Sequence, residues 1–227
     1  MIPRPENPLI VALDVSDLDA AEELARRLEG HAGALKVGLE LFSAHGPAAL
    51  LRLRAYAPVF LDLKFHDIPT TVERASFNAA RLGPSMFTVH ALGGEAMVAA
   101  AVRGATSGAE ESGYQLPLVV AVTVLSSLAG EGLASPASLA FESHAAGAGG
   151  VVVSGEDVPV VREVVGQEAC LVVPGIRPAG SNGHDQVRIL TPEEAIERGA
   201  DYLVVGRPIT ASPDPAGAAR AILASVR

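Results

Sequence analysis

The chain has no tryptophan, a single cysteine and, among 17 basic residues, only two lysines. Each shortage excludes something. With Cys170 alone, neither an intramolecular disulfide nor a cysteine-rich zinc site can form, and a reducing compartment is the default. No apolar run approaches the ~18 residues of a membrane span. The opening MIPRPENP lacks the apolar core of a signal peptide, so a cytoplasmic protein is expected. Positive charge is scarce too. Seventeen Lys+Arg against 26 Asp+Glu leave a net charge of −9, which argues against nucleic-acid or membrane-surface partners, because both select for a basic face. What is plentiful is apolar: 49% of the 227 residues are hydrophobic, ample for one buried core.

Fifteen of the basic residues are arginine, leaving Lys36 and Lys64 as the only lysines. Gene base composition can produce that bias. It still singles out the two survivors, because an ammonium is compact and can give up a proton where a guanidinium cannot.

Short runs rich in Val, Leu and Ile alternate with amphipathic stretches along the chain. Strands are expected near residues 9–14, 34–38, 59–64, 86–91, 118–124, 150–154, 170–174 and 202–206. Helices are expected to start near Leu18, Pro47, Thr70, Glu95, Pro136, Asp157, Pro192 and Asp214. Thr191-Pro192-Glu193-Glu194 is the clearest helix start, with a capping hydroxyl followed by proline and acid in the first turn. Strands of near-continuous hydrophobicity fit a parallel sheet covered by helices. Eight strand-then-helix units fit a closed (β/α)8 barrel, a TIM barrel, as a single domain over residues 1–227. An open doubly wound sheet is the alternative, but the first strand runs into Asp14-Val15-Ser16 with no GxGxxG turn.

Barrel chemistry sits at the C-terminal ends of the strands. There the sequence places Asp14, Lys36, Asp62, Lys64, His90, Thr123 and Ser154. Side-chain alternation puts Asp62 and Lys64 on one strand face and Leu61 and Leu63 on the other. With the leucines against the helices, the charged pair points into the barrel mouth. Strands seven and eight run into Pro174-Gly175-Ile176-Arg177 and Gly206-Arg207-Pro208. Glycine lets backbone N–H groups approach an anion and arginine offers a bidentate fork, so these adjacent loops suit a phosphate. The stretch between them, residues 178–190, has the length of a lid. The scattered histidines suggest no metal site. His66 is expected to make a structural hydrogen bond, His90 to steady a lysine or aspartate, and Cys170 to pack.

The string Asp62-Leu-Lys64-Phe-His-Asp67-Ile68-Pro69 resembles the DxKxxD core of the orotidine 5′-phosphate decarboxylase family. Leu13-Asp14, Leu35-Lys36-Val37-Gly38, Val89-His90-Ala91, Pro174-Gly175-Ile176-Arg177, Asp185-Gln186 and Val205-Gly206-Arg207 resemble the family's other motifs, in order along nearly the whole chain. The resemblance implies cofactor-independent, metal-free decarboxylation of orotidine 5′-monophosphate to uridine 5′-monophosphate by a homodimer with shared active sites. It implies a charge array of Lys36, Asp62, Lys64 and Asp67, with Asp67, Ile68 and Thr71 supplied by the partner subunit. Asp14 and Lys36 would bind the ribose, Ser126 the pyrimidine amide, and Pro174 would flank the base. Arg177, Gly206 and Arg207 would hold the phosphate, and Gln186 would bridge phosphate and base.

Two rivals stay open. One is a Mg2+-dependent sugar-phosphate decarboxylase or aldolase of the same superfamily, which uses an acidic ligand where this chain has Lys36; Glu40, four residues on, is the acid to watch. The other is a catalytically silent phosphate-binding barrel.

Overall fold

The computed structural model of the protein describes residues 5–124, 134–178 and 190–226. In chain order its elements are β1 (Leu9–Ala12), α1 (Leu18–Arg27), β2 (Ala34–Gly38), α2 (Leu39–His45), α3 (Pro47–Leu53), β3 (Val59–Phe65), α4 (Pro69–Ala80), β4 (Met86–His90), a 3-10 turn (Ala91–Gly93), α5 (Gly94–Ser112), β5 (Leu118–Val122), α6 (Pro136–Ala145), β6 (Gly150–Val152), α7 (Val158–Val165), β7 (Cys170–Val173), α8 (Pro192–Glu197), β8 (Tyr202–Val205), α9 (Arg207–Thr210) and α10 (Pro215–Ser225). Each strand pairs in parallel with the next, and β8 closes on β1, giving the single-domain eight-stranded barrel.

Local chemistry explains the elements. Asp17 caps α1 by accepting the Ala20 N–H, and Leu18, Ala21 and Ala25 form its buried stripe. Thr191 and Glu194 form the reciprocal capping box expected at the start of α8. Gly104 and Gly108 lie one turn apart on α5. A Cβ at either position would come within 2.1 Å of the Glu73 carbonyl or 2.3 Å of the Phe77 carbonyl of α4. The two helices therefore pack backbone to backbone, which fixes α4 and the Asp67–Ile68 turn that leads into it.

Strand side chains sort into two layers. Leu9, Val11, Leu35, Val37, Leu61, Phe87 and Val89 face the helices, while Ile10, Ala12, Ala34, Phe60, Met86, Val120, Val172 and Val204 fill the barrel. Followed toward the mouth, the inward rows diverge in character. Those of β1–β4 run Ile10-Ala12-Asp14, Ala34-Lys36-Gly38, Phe60-Asp62-Lys64 and Met86-Thr88-His90. Those of β5–β8 stay apolar or small, through Val122, Val152, Val172, Pro174 and Gly206.

Every strand begins at the expected residue, but most stop one or two residues early. Asp14 and Ser154 lie two residues past the ends of β1 and β6, and Lys36 lies inside β2 rather than at its end. The short helices α2 and α9 and the 3-10 turn were not expected.

Candidate active site

Four charged groups alternate in sign across the mouth. Lys36 Nζ lies 2.9 Å from Asp14 Oδ1 and 3.6 Å from Asp62 Oδ2, and Lys64 Nζ lies 2.8 Å from Asp62 Oδ1. Asp62 thus gives one oxygen to each lysine. The inner three side chains are largely shielded, with 12%, 13% and 30% of the surfaces of Lys36, Asp62 and Lys64 exposed, against 60% for Asp14. Shielding from water makes such fixed charges felt more strongly by a neighbouring ligand.

The backbone is distorted to build this array. Between Leu61 and Phe65, β3 advances four residues while β4 advances only from Phe87 to Val89. This bulge ends at Lys64, whose φ of 51° is the only positive value among the described non-glycine residues. The left-handed conformation costs a side-chain-bearing residue about 1 kcal/mol. Gly38 is fitted to the array as well: a Cβ there would sit 3.0 Å from Lys36 Nζ and 3.4 Å from Asp14 Oδ1.

Below and beside the array lies a cavity of about 190 Å³. Lys36, Asp62 and Lys64 form its charged wall, Val122, Val124 and Pro174 an apolar one, and Phe60, Val172 and Val204 its floor. Ser154 also lines it, with a buried hydroxyl that has no hydrogen-bond partner among the described residues.

Across the mouth, Gly175 has a φ of 81°, a turn open to glycine, and leads into Arg177. The Arg177 side chain is buried and donates to the Ile176 carbonyl at 3.0 Å. Among the described residues it has no carboxylate partner. Burial first, then the Arg207 guanidinium, hold it below the ordinary arginine pKa. Arg207 opens α9 directly after Gly206. Two neighbouring guanidinium groups, one desolvated, make a site that an anion would relieve.

Asp67, Ile68 and Thr71 are exposed. Asp67 Oδ1 accepts the Ile68 N–H at 2.6 Å and takes no part in the ion pairs of its own chain's lysines. Ile68 is 66% exposed, unusual for a large aliphatic side chain. Ser126, Gln186 and most of the expected lid lie outside the described residues.

Three expectations need correction. Thr123 is no rim group: it is buried and donates its hydroxyl to the Val152 carbonyl. Among the described residues His90 steadies neither a lysine nor an aspartate; its Nδ1 accepts the Leu92 N–H at 3.3 Å. His66 stacks its ring on His90, with centroids 5.1 Å apart, and makes no structural hydrogen bond among the described residues. Burial, His66 and Lys64 all push the His90 pKa down, so it stays neutral near neutral pH. Cys170 is packed as expected, its thiol pushed up to about 11 chiefly by burial. Glu40 lies exposed in the first turn of α2 and does not line the cavity.

One group went unforeseen. Thr88, fully buried on β4, accepts the Lys64 N–H at 2.8 Å and donates its hydroxyl to Asp62 Oδ1 at 3.0 Å. The alternation that pairs Asp62 with Lys64 also pairs Thr88 with His90, and that was the available signal.

An ammonium held by a carboxylate beside an apolar cavity can stabilise and protonate a carbanion, and the arginine pair opposite can hold a phosphate. The chain's relatives agree with that chemistry. It is 50% identical to the orotidine 5′-phosphate decarboxylase of Anaeromyxobacter sp. (strain K), over 98% of this chain and all of that one. It is 47% identical to that of Moorella thermoacetica, over 97% and 92% of the two chains. The crystal structure of orotidine 5′-phosphate decarboxylase from Lactobacillus acidophilus superposes with a TM-score of 0.85 at 36% identity, covering 98% of this chain and all of that one. With residues 7–222 matching the family described as orotidine 5′-phosphate decarboxylase / HUMPS, the chain belongs to that family.

Proposed function

We propose that the chain decarboxylates orotidine 5′-monophosphate to uridine 5′-monophosphate in pyrimidine biosynthesis, in the cytoplasm, without metal or cofactor. The observation that carries this reading is the Asp62 carboxylate shared by two ammonium groups over an apolar cavity. Breaking the bond from C6 to the carboxylate leaves its electron pair in the plane of the ring, where the π-system cannot spread it. Stabilisation must then come from charge already in place. The Lys64 ammonium faces the developing pair, donates a proton to C6 as CO2 departs, and regains a proton from water. Asp62 orients Lys64 beside the substrate carboxylate, and Lys36 with Asp14 binds the ribose hydroxyls. Pro174 flanks the base, Ser126 meets the pyrimidine amide, Gln186 links base and phosphate, and Arg177, Gly206 and Arg207 hold the phosphate. Phosphate binding energy, remote from C6, helps assemble the site.

Lys36 also weighs against the Mg2+-dependent sugar-phosphate chemistry of related barrels. Its ammonium, 3.6 Å from Asp62, stands where a divalent cation would need an acid. Loss of orotidylate absorbance with purified protein in excess EDTA tests the reading. Undiminished turnover supports it, and turnover restored only by Mg2+ overturns it.

The active unit is a homodimer in which Asp67, Ile68 and Thr71 enter the partner's site. Their exposure, and the Asp67 carboxylate engaged by the Ile68 N–H and not by its own chain's lysines, support this. Lys64→Ala and Asp67→Ala, each inactive, are refolded together. With a shared site, about a quarter of all sites recover both native residues and activity returns. Mixed dimers, verified by mass, with no activity above background would sink the arrangement.

A further inference from the structure

We infer that Thr88 is the positioning residue for the Lys64–Asp62 pair: its hydroxyl holds the β3 bulge in place and decides which Asp62 oxygen serves which lysine. The inference rests on the decarboxylase reading for its effect on turnover. Its geometry stands independently.

The bulge sets Asp62, Leu63 and Lys64 of β3 opposite one residue of β4, because Leu61 pairs with Phe87 and Phe65 with Val89. That one residue is Thr88. With φ at 51°, the Lys64 N–H leaves the regular ladder and needs another acceptor. The Thr88 hydroxyl supplies it at 2.8 Å. An amide N–H can only donate, so Thr88 Oγ1 accepts there and keeps its single proton for another partner. That proton goes to Asp62 Oδ1 at 3.0 Å, the same oxygen that accepts Lys64 Nζ at 2.8 Å. The ring closes through one residue: Lys64 is held by its backbone to Thr88 and by its ammonium to Asp62, while Thr88 joins the two. With Oδ1 fixed in this way, Oδ2 is the oxygen left for Lys36, 3.6 Å away.

Thr88 does not line the cavity and is fully buried, so it acts on a ligand only through Lys64 and Asp62. The requirement is for a small hydroxyl. Serine supplies it, whereas valine has threonine's shape but neither donates nor accepts.

The test compares Thr88→Val and Thr88→Ser with the parent in three measurements: kcat on orotidine 5′-monophosphate, Kd for uridine 5′-monophosphate, and a crystal structure of the valine variant. Misplacing a reacting group by about an ångström costs up to roughly a hundredfold. Valine is therefore expected to lower kcat by about ten- to a hundredfold with product Kd within about twofold. Serine is expected to restore kcat to within about twofold of the parent. In the crystal, Lys64 is expected to leave the left-handed region and its ammonium to part from Asp62 Oδ1. Parental kcat in the valine variant overturns the inference, as does a loss that falls equally on product affinity or that serine does not rescue. Should the valine variant fail to fold, Thr88→Ala is read by the same criteria. If the parent itself fails to turn over orotidine 5′-monophosphate, the decarboxylase reading falls. The crystal structure then judges Thr88, and an unchanged Lys64 backbone and ion pair overturn its role.

Discussion

The two halves of the barrel mouth solve opposite problems. On the β1–β4 side, Asp14, Lys36, Asp62, Lys64 and Thr88 satisfy one another within a single chain, charge against charge and hydroxyl against both. On the β7–β8 side, Arg177 is buried with no carboxylate partner among the described residues and is pressed by Arg207. The first half is internally paired before any ligand arrives, and the second is eased by one. Catalysis by fixed charge needs groups that do not reorganise when charge develops. Binding needs groups whose free energy falls when the ligand arrives. One rim meets both demands by separating them in space.

The largest expected effect comes from breaking the finished half. Lys64→Ala removes the proposed proton donor and leaves Asp62 facing the cavity without its ammonium. We expect kcat to fall on the order of a thousandfold or more while uridine 5′-monophosphate still binds through the arginine side. A variant that keeps kcat within about tenfold of the parent would remove Lys64 from the chemistry.

Breaking the unfinished half gives a smaller and different signature. Arg177→Met deletes a buried charge that has no carboxylate partner among the described residues, so the free protein is expected to melt no lower than the parent. Its kcat/KM for the nucleotide is expected to fall by roughly 2–4 kcal/mol, and its value for orotidine, which lacks the phosphate, to change little. Inorganic phosphate should raise the Tm of the parent and not that of the variant. Equal losses on both substrates would make Arg177 a general structural group.

The mildest change sharpens the contrast by crowding rather than deleting. Gly38→Ala sets a methyl 3.0 Å from Lys36 Nζ, close enough to displace the ammonium by a few tenths of an ångström. A preorganised half tolerates that poorly. We expect kcat/KM to drop about tenfold with Tm little altered. Unchanged kinetics would mean that the Lys36 pairings have slack.

Legibility in the sequence follows the same division. The strand starts were readable because apolar runs mark where chain enters the barrel. The ends were not, because there the chain leaves the ladder to build a site, and Asp14 and Ser154 lie beyond the last paired residues. Lys36, Asp62 and Lys64 were legible from alternation and from the shortage of lysine. The positive φ of Lys64 was not, since nothing in a lysine codon signals a left-handed backbone; it follows from a bulge between two strands distant in sequence. Thr88 was passed over because a threonine among Val, Phe and Met reads as an ordinary strand residue. The short α2 and α9, of seven and four residues, hold too few turns to show a period.

The scarcity of lysine has a practical corollary. Apart from the amine at the start of the chain, Lys36 and Lys64 carry the only primary amines, and both sit in one cavity wall. Acylation or reductive methylation of lysine is here a reaction at the cavity wall alone. Such reagents, which scatter over the surface of most proteins, become site-directed probes for this one. Attachment to a support through either lysine would for the same reason occupy the cavity it was meant to display.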